Sequence, residues 1–153
     1  MRNLIYILLL GTLFSSCLSF KNPELVGNEK FKFESVKDGT IKFNAGATFL
    51  NENWYGIKVK PSMLNLYIED EFIGEVKLEK KVKLKRKKET ALEAPFTLFL
   101  EKGAMLKMMK YATQGKVKVR LTGKVKGGVF IFSKKFEMDE TKTISGANLR
   151  LGL

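Results

Sequence analysis

From Phe31 onward, hydrophobic and polar positions alternate along most of the chain at the period of a β-strand. Phe31 and Phe33 stand between Lys30, Lys32 and Glu34. After Lys37-Asp38-Gly39, the residues Ile41, Phe43, Ala45, Ala47 and Phe49 alternate with Lys42, Asn44, Gly46, Thr48 and Leu50. Each run has one apolar face and one mostly wet face, the pattern of a half-buried strand. Asp-Gly between two such runs predicts a hairpin. A turn-rich break at 51–56 leads to Ile57 and Val59, and Pro61-Ser62 releases the chain into 63–68. Glu69-Asp70-Glu71 then separates Leu64, Leu66 and Ile68 from Phe72, Val76 and Leu78, which predicts a second hairpin.

The same alternation continues downstream. Val82 and Leu84 lie among lysines, and Phe96, Leu98 and Leu100 predict a strand that begins after Pro95. Val117, Val119 and Leu121 alternate with Lys118, Arg120 and Thr122, and the pattern runs on to Val125. Gly127-Gly128 predicts the tightest turn of the chain. Beyond it, 129–136 starts apolar on both faces and predicts a central strand or one covered on both sides. A short strand at 141–145 and a frayed tail from Asn148 complete the pattern. Helical spacing occurs once, at 102–113: Met105, Met108, Met109 and Ala112 share one side, and Lys107 and Lys110 point away. Gly115 is placed to end that helix. The expected fold class is all-β and antiparallel, with one short helix.

The first residues follow a different rule. Arg2 precedes an uncharged apolar run at 4–14, the pattern of an export signal. As a helix this run would reach about 16 Å, half of a hydrocarbon core of about 30 Å, too short to span. Phe14-Ser15-Ser16-Cys17 then resembles a bacterial lipobox, with Phe14 where leucine is most common. The resemblance implies a diacylglycerol thioether on Cys17, removal of 1–16 and acylation of the new amino terminus. The plainer alternative is an ordinary small residue at a cleavage site. Cys17 is the chain's single cysteine and has no disulfide partner. Each buried methylene of an acyl chain contributes about 0.8 kcal/mol, so two or three chains hold a domain on a bilayer durably. The expected organisation is a signal peptide at 1–16, a lipidated tether at 17–29, a β domain at 30–146 and a tail at 147–153. No acidic run follows Cys17, and the expected location is the bacterial cell envelope, at the periplasmic face of an outer membrane.

Charge and composition narrow the chemistry. The formal net charge is +12, and loss of the first 16 residues removes only Arg2. An exported protein does not meet chromosomes, so nucleic acid is not an expected partner. Anionic lipid headgroups, lipopolysaccharide phosphates or an envelope protein are. The chain has no histidine, which removes the commonest general base and metal ligand. With the thiol consumed by lipid, no catalytic residue, metal site or cofactor is expected. Glu69, Asp70 and Glu71, like Asp139 and Glu140, read as solvated turns. The first group lacks the spaced oxygen ligands of a calcium loop.

Two stretches remain as candidate sites. Lys80, Lys81, Lys83, Lys85, Arg86, Lys87 and Lys88 form the densest positive run. It reads as a contact for anionic lipid, or as an edge strand whose lysines discourage edge-to-edge pairing. Met105, Met108 and Met109 read as an adaptable groove for an apolar ligand, or as a helix packed across the open end of a sandwich.

The order of elements resembles the LEA type 2, or WHy, domain over about 31–145. A long strand ends in Asn51-Glu52-Asn53, where the family often carries Asn-Pro-Asn. A hairpin with an acidic turn leads to Ile73-Gly74, then come a strand near Phe96, one short helix, a Val-rich strand ending in Leu121-Thr122-Gly123, and Gly127-Gly128. This resemblance implies a fibronectin III/immunoglobulin-like β-sandwich of seven to eight strands. It brings no catalytic residues and suggests a role in stress tolerance. Three functions follow as expectations: a stress-protective envelope lipoprotein that binds membrane, amphiphile or client protein; a lipid-binding or lipid-shuttling domain with an apolar slot between its sheets; or a structural subunit of an envelope complex.

Overall fold

The alternating pattern becomes nine antiparallel strands and one α-helix in the computed structural model, which describes residues 20–129 and 132–149. The strands are β1 (Glu24–Lys37), β2 (Thr40–Asn51), β3 (Ile57–Val59), β4 (Met63–Ile68), β5 (Glu71–Leu78), β6 (Val82–Leu84), β7 (Lys88–Leu100), β8 (Val117–Val129) and β9 (Phe132–Ile144). Helix α1 (Ala104–Ala112) lies between β7 and β8, and a 3-10 turn, Gly146–Leu149, follows β9. The strands pair in the order β1-β2-β7-β5-β4-β8-β3-β6, with β9 on the remaining edge of β8. The fold is the expected all-β antiparallel sandwich with one short helix. The expected signal peptide and Cys17 lie outside the described residues.

Local chemistry sets the hairpins. Asp38 and Gly39 both take positive φ, 49° and 73°, and close β1 on β2 in the two-residue turn that matches strand twist. Glu69 and Asp70 do the same between β4 and β5, at 49° and 65°. The acidic turn is therefore two residues long, with Glu71 already paired in β5. Glu69 can hold that backbone because its carboxylate accepts the Lys118 N–H at 2.6 Å while its own N–H donates to the Lys118 carbonyl at 3.0 Å.

Several expectations need correction. β1 begins at Glu24, inside the stretch read as tether. β7 runs straight through Pro95. A strand residue's N–H and C=O point the same way, and the Pro95 carbonyl accepts Glu79 N–H on the β5 side, where ladder pairing starts only at Phe96. The N–H that proline lacks would have faced Glu79, one residue past the end of β5, so no bond within the paired stretch of the two strands is lost. Gly127-Gly128 is no turn: both lie buried within β8, opposite Val59 and Lys58 of β3. The antiparallel pairing of β8 with β9 runs on past both glycines to Val129 and Phe132. A Cβ on Gly127 would stand 2.6 Å from the Phe136 ring, so glycine there makes room for an aromatic side chain. Nor is β9 central, because among the described residues it pairs with β8 alone. It also absorbs the short strand expected at 141–145. Where a frayed tail was expected, Leu149 packs against the main core.

Two apolar clusters fill the sandwich. The larger gathers Ile41, Ile68, Ile73, Val76 and Leu98 from the strands and Ala104, Met108 and Tyr111 from α1. The smaller joins Tyr55, Ile57 and Leu84, with Phe49, Leu92 and Val129 against them. β2 and β7 run the length of the domain and serve both. Their Thr40–Phe99 end lies by the helix, and their Asn51–Lys88 end lies by the β2–β3 loop.

Candidate functional site

The basic run divides into a strand and a turn. Lys80 and Lys81 precede β6, and Lys83 faces outward between Val82 and the buried Leu84. Lys85, Arg86 and Lys87 form the connection to β7, whose first residue is Lys88, and all seven basic residues are exposed. β6 pairs with β3 at the end of the strand order, so part of the run is an edge strand.

The turn residues are tied to the break after β2 by a buried amide network. Asn51 is fully buried; its Nδ2 donates to the Tyr55 carbonyl at 2.8 Å and to the Lys85 carbonyl at 3.1 Å. Its Oδ1 accepts from the backbone and side-chain amides of Asn53 at 3.1 and 2.9 Å. The Asn53 carbonyl in turn accepts the Lys87 N–H at 3.0 Å. Four hydrogen bonds thus satisfy a side chain whose burial would otherwise be costly.

Asn53 also grips the N-terminal segment. Its Oδ1 accepts the Lys21 N–H at 2.9 Å and its Nδ2 donates to the Lys21 carbonyl at 2.6 Å. The side-chain amide thereby copies the two-way pairing of a neighbouring strand. The Lys21 ammonium lies 2.8 Å from Glu52, and the hydrogen bond and charge raise the amine's pKa and lower the carboxyl's. Sequence reasoning treated 51–53 as a break and missed the clamp. The available signal was two asparagines spaced by one residue at a strand end, where such side chains bond nearby backbone.

The three methionines separate. Met108 sits in the main core, Met105 is half-buried, and Met109 is 62% exposed. Ala104, Met108 and Tyr111 define the inward face of α1. The Tyr111 hydroxyl donates to Glu71 at 2.8 Å, and Lys107 lies 3.2 Å from the same carboxylate. Two surface hollows occur elsewhere. One of about 400 Å³ lies over β1 and β2 at Lys30, Phe31, Asn44 and Glu93. The other, about 200 Å³ and nearly all apolar, lies among Phe20, Ile57, Gly127, Val129 and Phe136. The second is smaller than the 300–1,000 Å³ or so typical of small-molecule pockets. Neither is lined by the helix methionines. Among the described residues no cluster of three or more acidic, Cys or His side chains could hold a metal, and no helix is long and apolar enough to cross a membrane.

A family model described as late embryogenesis abundant protein, LEA type 2, matches residues 47–142. The chain belongs to the LEA type 2 family. The matched part of this LEA type 2 protein includes the Asn51–Asn53 network, the basic run, α1 and β8, while Lys21 precedes it. No match is found among curated proteins. A crystal structure of a protein from Archaeoglobus fulgidus is similar at 16% identity and a TM-score of 0.49, over 83% of this chain and 97% of that one. A solution structure from Arabidopsis thaliana is similar at 11% identity and a TM-score of 0.46, over 86% and 87% of the two chains.

Proposed function

We propose that this LEA type 2 protein is a non-enzymatic lipoprotein of the bacterial cell envelope. Acyl chains on Cys17 hold it at the periplasmic face of an outer membrane, and it protects the envelope under stress by binding membrane surface, amphiphile or unfolded client. The observation that supports this reading best is the grip of Asn53 on Lys21. Cys17 lies four positions earlier, and four extended residues reach at most about 14 Å. A lipid on Cys17 therefore keeps the domain against the bilayer instead of on a long leash.

The electrostatics agree with a binding role. The shifted carboxyls, Glu52, Glu71, Glu79 and Asp139, all move down because lysine, arginine or tyrosine partners favour the charged form. A general acid at neutral pH needs a carboxyl moved the other way. These carboxylates are surface groups held by ion pairs: Asp139 ties β9 to β8, Glu71 ties β5 to α1, Glu52 ties the β2–β3 loop to Lys21, and Glu79 pairs locally with Lys77.

Anchoring is tested with Cys17→Ala. Palmitate labelling is expected to vanish and the protein to move from the membrane to the soluble fraction; continued labelling overturns the assignment. The protective role is tested by deleting the gene, with reduced survival of drying, freezing, salt or detergent expected. Unchanged survival under all four overturns it.

A further inference from the structure

We propose that the domain docks on anionic phospholipid through one corner, formed by Trp54, Lys85, Arg86 and Lys87 beside the clamped Lys21. This inference rests on the lipid-anchored reading above and adds the face that meets the membrane and the lipid it meets. The first argument is where the chain leaves the domain. The Asn51–Asn53 network bonds to the backbone of Lys21, Lys85 and Lys87, so the tether and the basic turn emerge at the same end of β2. With Cys17 at most about 14 Å away, that end is the one the acyl chains hold against the headgroups.

The second argument is chemical fit. Trp54 is 55% exposed, although its neighbours Asn53 and Tyr55 are buried at 3% and 5%. The loop backbone is thus fixed on both sides, and the indole is held outward against the edge of the Tyr55 ring, 5.2 Å between centroids. Indole rings settle at membrane interfaces because an apolar body and an N–H donor suit both media. Trp54 follows Asn53 directly in sequence. In the connection bonded to Asn51 and Asn53, Lys85, Arg86 and Lys87 are exposed, as is Lys88 that follows, and the adjacent carboxylate Glu52 is engaged by Lys21. Each basic side chain close to an anionic leaflet multiplies partitioning by roughly five. The opposite end of β2, by α1, lies about 36 Å away, so lysines there make an internal control.

Trp54 is the chain's one tryptophan, so its fluorescence reports the corner alone. The full acylated protein is reconstituted in phosphatidylcholine vesicles with and without phosphatidylglycerol, with brominated acyl chains as quencher. Quenching and a blue shift are expected with phosphatidylglycerol and much less without it. The combined change Lys85→Glu, Arg86→Glu and Lys87→Glu is expected to abolish the difference while the protein still sediments with the vesicles. Lys37→Glu, Lys102→Glu and Lys116→Glu together are expected to leave it intact. The unaltered protein gives a second reading that needs no variant: about 0.5 M salt, which shortens the screening length to about 4 Å, should release Trp54. Equal quenching in both lipids, or quenching that survives salt, overturns docking by charge. Unquenched Trp54 in protein that sediments fully with phosphatidylglycerol vesicles overturns the docking face and leaves the anchor standing. Protein recovered without acyl chains on Cys17 overturns the anchor, and the docking face falls with it.

Discussion

The Tyr111 hydroxyl donates to Glu71 Oε1 at 2.8 Å, joining the last turn of α1 to the first residue of β5. Lys107 and Lys110 stand 3.2 and 3.9 Å from the same carboxylate. The Tyr111 hydrogen bond first, and the lysines after it, hold the Glu71 carboxyl below its ordinary 4.5. A carboxyl depressed in the folded state contributes stability above its unfolded pKa and loses it as pH falls through the folded value. The thermal midpoint of the wild type should therefore exceed that of Glu71→Gln near neutrality, and the gap should close as pH falls below 4.5. Tyr111 has the opposite sign. Its hydroxyl is raised above 10.0 by Glu71, so its contribution is present below that value and fades as pH rises through the folded one. A midpoint gap for Glu71→Gln that is the same in acid and at neutrality would refute the linkage.

Asn51 should be the costliest polar residue to remove. Asn51→Leu keeps the branched outline of the side chain, though it is bulkier, and strands the Tyr55 and Lys85 carbonyls and the Asn53 amides. Leaving such buried groups unpaired should lower unfolding free energy by about 2–4 kcal/mol in a urea titration. Asn53→Ala should cost less globally, yet amide exchange at Lys21 should accelerate sharply because its N–H loses its acceptor. Slow exchange at Lys21 in Asn53→Ala would mean that the clamp is held by something else.

What the sequence disclosed follows from the range of the physics involved. β2 and its turn were legible because alternation from Ile41 and the dipeptide Asp38-Gly39 are local signals. The exposure of the basic run was legible for the same reason. Pro95 misled because its cost depends on which neighbour faces its missing N–H, and that neighbour, Glu79, lies just past the end of another strand, β5. The clamp on Lys21 was hidden because its partners are about 30 positions apart in the chain. On α1 the helix was legible but its rotation was not. The methionine spacing pointed to Met105, Met108, Met109 and Ala112, whereas the Tyr111 bond to Glu71 goes with an inward face of Ala104, Met108 and Tyr111.

That rotation gives a direct contrast between two adjacent methionines. Met108 is 6% exposed in the main core, and Met108→Ala should cost about 2–5 kcal/mol by loss of transfer energy and creation of a cavity. Met109 is 62% exposed, and Met109→Ala should stay within about 0.5 kcal/mol. Chemical denaturation of the two variants side by side checks the helix register. Equal losses would mean that both methionines are packed, as in a helix turned by a further residue.

The glycine pair in β8 offers the sharpest test of strand against turn. In a two-residue hairpin turn, Asn-Gly replaces Gly-Gly without penalty, because both residues tolerate positive φ. In the structure Gly127 lies inside β8, and any Cβ there meets the Phe136 ring at 2.6 Å. Gly127→Asn should therefore destabilise by about 1–3 kcal/mol through overpacking. Adding Phe136→Leu to Gly127→Asn should recover much of that loss, since the smaller side chain vacates the space over the strand. A fully stable Gly127→Asn protein would return the reversal to the glycines. It would also break the pairing of Val129 with Phe132 on which the register of β9 depends.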